Sequence, residues 1–186
     1  FAMSDPYITR ELTVRDLVTH RSGFFRGDAV WMGSGFSRDE ILRRTLQQPA
    51  STSFRSTFGY NNIMFLAAGQ IAGKVAGMTW DAFVKQRIFT PLGMTASNTS
   101  TRDLTGPDVA RPHAMVDGKA VPIAYRNIDN VGPAGSINSS VLDMAQYLRF
   151  HLRDGRYRGQ QLLSKRFQDQ METAQMIASS GRDTLL

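Results

Sequence analysis

Residues 60–77 constrain the fold more than any other stretch. Behind Tyr60-Asn61-Asn62, the apolar residues Ile63, Leu66, Ala67, Ile71 and Val75 recur at helical spacing, and Gly77 stands where such a helix would stop. A helix this apolar must be covered on several sides, so the spacing predicts a buried central helix with Tyr60 on the turn that enters it.

The flanking segments read as further helices. Thr13 is placed to cap a short helix over residues 13–20, with Val14, Leu17 and Val18 on one face and Ser22-Gly23 ending it. Ser37-Arg38-Asp39-Glu40 has the pattern of a capping box, ahead of an apolar stripe of Ile41, Leu42, Thr45 and Leu46, and Pro49 stops that helix. Thr79 can cap a helix whose Trp80, Phe83, Val84 and Ile88 face inward, closed by Pro91-Leu92-Gly93-Met94. Ser140 and Asp143 start another, with Met144, Ala145, Leu148 and Leu152 on one face, and Asp154-Gly155 marks a turn. A short hairpin over residues 157–163 and a helix capped by Ser164 complete the series. Residues 95–137 hold Pro107, Pro112, Pro122 and Pro133 without a sustained period, which predicts loops with one or two short strands between Val109 and Tyr125. The whole is mainly α with a few short strands, of α+β class. It is expected to be a single partial domain over residues 1–186, with an ordered core from about 8 to 175 and a mobile tail over 176–186.

Composition narrows the function. Hydrophobic residues make up 41% of the chain and charged residues 20%, a globular balance. The absence of cysteine excludes disulfides, thiolate nucleophiles and Cys-based zinc sites. A net charge of +6 comes from arginines scattered between Arg10 and Arg182, with no basic helix or aromatic-plus-basic strand, so a solvated surface is expected and no nucleic-acid partner. No stretch approaches the roughly 18 apolar residues of a membrane span, and Phe1-Ala2-Met3-Ser4-Asp5-Pro6 lacks a signal peptide's basic and apolar regions.

Several chemistries lack their residues. Gly33-Ser34-Gly35 is not a nucleophile elbow, no phosphate-binding loop is present, and the carboxylates show no pairing assignable to glycoside hydrolysis. His20, His113 and His151 lack paired-ligand spacing and read as structural or surface residues. In that reading His20 ends a helix as a partly cationic ring, His113 lies in a loop near Asp117-Gly118, and His151 lies on the polar margin of its helix. Met64, Met94 and Met144 read as core filler.

Taken in order, Leu12-Thr13-Val14-Arg15-Asp16-Leu17-Val18-Thr19-His20-Arg21-Ser22-Gly23, Phe58-Gly59-Tyr60-Asn61-Asn62, Arg87-Ile88-Phe89-Thr90-Pro91-Leu92-Gly93-Met94 and Gly132-Pro133-Ala134-Gly135-Ser136 resemble the penicillin-recognising serine hydrolases. That group comprises class C β-lactamases, D-alanyl-D-alanine carboxypeptidases and related esterases. The resemblance implies the helical middle portion of a serine β-lactamase-like fold, lacking most of the family's antiparallel sheet. It implies acyl transfer to water through an acyl-serine, on a small-molecule or peptide substrate, without metal or organic cofactor, and a periplasmic or secreted location. The family's site joins Ser-x-x-Lys, Tyr-x-Asn and a late Lys- or His-containing strand motif, and only the middle part is found among residues 1–186.

Carried over by position, Tyr60 matches the family's general base and Asn62 the asparagine that hydrogen-bonds the nucleophile-side lysine and the substrate amide. Asn61 is the variable middle position, and Gly135 and Ser136 border the substrate cleft. A phenol near pKa 10 acts as a base only when cations lower its pKa. The alternative for Tyr60 is a buried ring whose hydroxyl meets a backbone carbonyl. Asn62 can also serve as the N-cap of the following helix, since capping uses one face of the amide. By itself the chain is predicted inactive, with its nucleophile and third motif elsewhere. A catalytically inactive remnant acting as a binding or structural module is the second reading, and apolar faces left uncovered predict self-association.

Overall fold

The computed structural model describes residues 2–178. The expected mobile tail over 176–186 falls mostly on residues outside that range. The central helix forms as its spacing requires: α5 spans Asn62–Ala76 and ends on Gly77 in the left-handed region. Ile63, Met64, Leu66 and Ala67 are fully buried, and each large side chain contributes about 1.5–3 kcal/mol relative to exposure. Val75 does not join them, because it points to solvent at the far end of the helix.

Before α5 come α1 (Pro6–Glu11), α2 (Val14–Val18), α3 (Asp28–Trp31) and α4 (Arg38–Thr45). The spacing of apolar residues gives no hint of α1, which is started by the Asp5 carboxylate accepting from the Tyr7 and Ile8 amides. Thr13 and Asp16 make a reciprocal capping box on α2, and the helix stops at Val18, before Ser22-Gly23. Leu17 is buried there, while Val14 and Val18 stay exposed instead of sharing its face. At α4 the box is only half made: Ser37 caps Glu40 N–H, but the Glu40 carboxylate turns to Arg43 and Arg44. Met3, Ile8, Leu17, Phe24, Trp31, Ile41 and Leu46 close round the buried face of α5 as one core.

After α5, Thr79 caps α6 (Trp80–Val84), which runs through a π-helical turn at Lys85–Phe89 into α7 (Thr90–Leu92). The wider turn lets Phe89 enter a second core with Trp80, Val84, Leu92, Met94, Phe150 and Tyr157, and Phe83 and Ile88 pack at its margin. β1 (His113–Val116) and β2 (Lys119–Pro122) form an antiparallel hairpin in register Val116 with Lys119. Asp117 and Gly118 both have positive φ, as a type I′ turn needs. His113 therefore starts a strand and does not sit in a loop.

A 3-10 segment, Asp129–Ala134, packs across α5, followed by α8 (Val141–His151), the short hairpin of β3 (Arg156–Tyr157) and β4 (Gln160–Gln161), and α9 (Lys165–Glu172). Ser140 caps α8 as expected, but the stripe faces the other way. Tyr147 and Phe150 turn to the second core, whereas Val141, Leu148 and Leu152 are 83%, 58% and 85% exposed, and Met144 is an exposed residue rather than core filler. Ser164 precedes α9, but its hydroxyl oxygen accepts from no helix amide, so the expected cap is not made. Among the described residues the strands form just two two-stranded sheets, and no helix is long and apolar enough to cross a membrane.

Candidate functional site

The site begins with a fully buried carboxylate. Asp16 accepts from Arg55 (2.8 and 2.9 Å), from Arg21 (2.6 Å) and from the Thr13 amide and hydroxyl. Burial alone would raise its pKa, but these donors more than offset that and hold Asp16 well below the usual carboxylate range. Their effect is to tie α2 to the loop that runs into Tyr60. A second tie is the close pairing of the chain at Gly23 with residues 51–53. Gly23 has φ +73°, and a Cβ there would lie 2.5 Å from the Thr52 carbonyl oxygen.

That pairing presents the Phe24 and Phe25 carbonyls to Asn61. Asn61, not Asn62, is the N-cap of α5: its Oδ1 accepts from the Met64 amide at 3.1 Å. Its Nδ2 donates to the Phe25 carbonyl at 2.8 Å, and its backbone N–H donates to His20 Nδ1 at 3.0 Å. The position that sequence comparison treats as a spacer is thus the most constrained of the three. Asn62 is the first residue of the helix, half-buried, and its Nδ2 donates to Asp28 Oδ1 at 3.2 Å.

Tyr60 is held between these anchors while its own side chain remains open. The ring is 46% exposed, so the alternative of a buried tyrosine does not apply. The His20 ring lies 4.7 Å from it at 36°, and the Arg26 guanidinium sits 5.3 Å from its centroid on the cation–π side. Arg26 is itself paired with Asp28, which also accepts from Trp31 Nε1 at 3.0 Å. Burial would raise the Asp28 pKa, but donors from Arg26, Trp31 and Asn62 take it below its ordinary value. A continuous polar chain therefore runs from Asn62 through Asp28 to the cation over Tyr60.

His20 departs from its expected role. Its Nδ1 accepts a backbone hydrogen bond and so carries no proton, and burial pushes its pKa down. It is a neutral ring inside the site rather than a cationic end to a helix. Arg26 and Asp28 are absent from the sequence reading, and His20 is set there at a helix end, because nothing in their spacing relates the three to Tyr60; the contacts are tertiary.

Gly135 and Ser136 lie on the chain just past the 3-10 segment. Gly135 is exposed, whereas Ser136 is buried and donates its hydroxyl to the Thr99 carbonyl at 2.7 Å. Ser136 borders no open space with that hydroxyl. An apolar groove of about 840 Å³ opens beside the site, between α2 and α9, lined by Val14, Val18, Phe58, Phe167 and Met171, and His20 forms part of its wall. Among the described residues no three His, Asp or Glu side chains converge to hold a metal ion.

A family model described as Beta-lactamase matches residues 5–184. The chain belongs to this beta-lactamase family of serine hydrolases. It is 27% identical over 149 residues to Gigasin-6 of Magallana gigas, covering 77% of this chain and 49% of that protein. To penicillin-binding protein 4 of Amycolatopsis lactamdurans it is 26% identical over 162 residues, covering 83% and 42% respectively. The octameric penicillin-binding protein homologue from Pyrococcus abyssi superposes with a TM-score of 0.73 at 27% identity, over 87% of this chain and 38% of that one. The chain thus spans less than half the length of these relatives, and its helices correspond to a part of the beta-lactamase-like fold that lacks most of the sheet.

Proposed function

We propose that this chain is the helical portion of a serine hydrolase that cleaves an amide, β-lactam or ester bond through an acyl-serine, with the nucleophile and the third motif outside residues 1–186. The observation that carries the reading is Tyr60: an open phenol on a rigidly held turn, beside a guanidinium, at the entrance to a buried helix. In this role Tyr60 takes the proton of the attacking serine and returns it to the leaving group, and Asn62 donates through its Nδ2 to the substrate while its Oδ1 accepts from the nucleophile-side lysine. Gly135 and Ser136 contribute main chain to the cleft wall, the Ser136 hydroxyl being engaged elsewhere. A family model and relatives that include penicillin-binding proteins support this class of substrate. The test is turnover of a β-lactam and of an activated ester by a polypeptide carrying these residues together with Ser-x-x-Lys. Tyr60→Phe should lower kcat about 100-fold or more, and undiminished turnover would refute the role.

The exposed α8 stripe favours a second reading, in which the chain acts as an inactive binding module that self-associates through Val141, Leu148 and Leu152. This reading predicts no labelling by a serine-directed probe.

A further inference from the structure

We propose that His20 is a positioning residue for Tyr60: its carbonyl and its neutral imidazole fix the main chain on either side of Tyr60, and the imidazole braces the Tyr60 ring. The inference rests on Tyr60 being the reactive phenol, but the clamp itself is defined by geometry alone. On one side of Tyr60, the Gly59 N–H donates to the His20 carbonyl at 2.8 Å; on the other, the Asn61 N–H donates to His20 Nδ1 at 3.0 Å. The ring then lies against Tyr60 (4.7 Å), with Phe65 at 4.9 Å and Phe58 edge-on at 5.3 Å completing its surroundings. One residue thus meets three consecutive positions, 59 to 61.

The backbone supplies an independent argument. His20 has φ +56°, in the position just past α2 where glycine or asparagine usually stands. Glycine would adopt that conformation without strain and would offer the same carbonyl to Gly59. What glycine lacks is the ring, so the strained conformation is maintained here together with an acceptor for Asn61 N–H. Asparagine tolerates the same conformation and can place Oδ1 near the position of Nδ1.

These properties define the experiment, done without substrate on a polypeptide carrying residues 1–186 together with Ser-x-x-Lys and the third motif. Long-range nitrogen–proton NMR reports the tautomer of His20, and amide exchange reports Asn61, with Leu66 and Ala67 amides in α5 as the reference. The expected result is an Nε2–H tautomer with bare Nδ1, and a protected Asn61 amide. In His20→Gly the Asn61 amide should exchange about tenfold faster, the worth of one net hydrogen bond, the Tyr60 ring protons should move toward free-tyrosine shifts, and Leu66 and Ala67 should be unaffected. His20→Asn should restore Asn61 protection at least in part.

An Nδ1–H tautomer in the wild type, or equal Asn61 exchange in wild type and His20→Gly, overturns the proposal. So does equal acceleration at Leu66 and Ala67, which would make the ring a general support of the fold. Because no catalysis is measured, failure here leaves the role of Tyr60 standing, and failure of that role leaves the clamp standing.

Discussion

At the scale of single residues, two side chains decide whether Tyr60 is held. Asn61 caps α5 and satisfies the Phe25 carbonyl from a fully buried position. Asn61→Ala removes the cap and leaves that carbonyl unpaired, at a combined cost of about 2–4 kcal/mol, which urea unfolding would measure. His20 adds a dependence on pH. Its pKa is lowered on folding by burial, so the unfolded chain binds the proton more readily. Its contribution is complete above the ordinary histidine value of about 6.5 and is lost as pH falls toward the lower folded value. Arg26 lies over the neighbouring Tyr60 ring and Arg15 lines the same groove as His20; the shift itself comes from burial. Stability measured from pH 7.5 to 5 should therefore decline in the wild type and decline less in His20→Asn; identical slopes would contradict the account. The sequence located Tyr60 but could not rank Asn61 above Asn62, since neighbouring asparagines have equal capping propensity. The Phe25 carbonyl, brought close by the Gly23 turn, breaks that tie.

At the scale of elements, α5 is both the most legible helix and the one whose packing is least forgiving. Gly69 would ordinarily favour replacement by alanine, which is better in a helix interior by about 1 kcal/mol. Here the 3-10 segment lies so close that a Cβ at Gly69 would come within 2.3 Å of Pro133 Cγ. Gly69→Ala is expected to destabilise by about 1–3 kcal/mol, and an unchanged or raised Tm would show that α5 and the Asp129–Ala134 segment are not in close contact. Helices whose caps and apolar stripe agree in the sequence, α4, α5 and α6, form where the sequence places them. α1 was missed because six residues are too few for a period to emerge, and the π-helical turn because it shifts the register within an otherwise ordinary helical pattern.

At the scale of the whole molecule, the informative feature is apolar surface without cover. Periodicity states that α8 has an apolar stripe, but not which body it meets, and the structure gives Tyr147 and Phe150 to the second core and leaves Val141, Leu148 and Leu152 outside. If that stripe drives self-association, Leu148→Glu combined with Leu152→Glu should shift the chain to smaller species in sedimentation velocity without altering its helical circular dichroism. An unchanged distribution would remove the stripe from the account. The family was legible because its motifs survive as short contiguous blocks, whereas the groups that steady Tyr60 come from the turn after α2, the loop at Arg26 and α3, and meet only in the fold.

The most direct test of the central claim is the rate of acyl-enzyme formation, followed by intact-mass spectrometry, in a polypeptide that contains these residues with their Ser-x-x-Lys. With a β-lactam or activated ester, the account predicts a covalent adduct on the serine, forming about 100-fold or more slowly in Tyr60→Phe. Adduct formation at the same rate in wild type and Tyr60→Phe would contradict it.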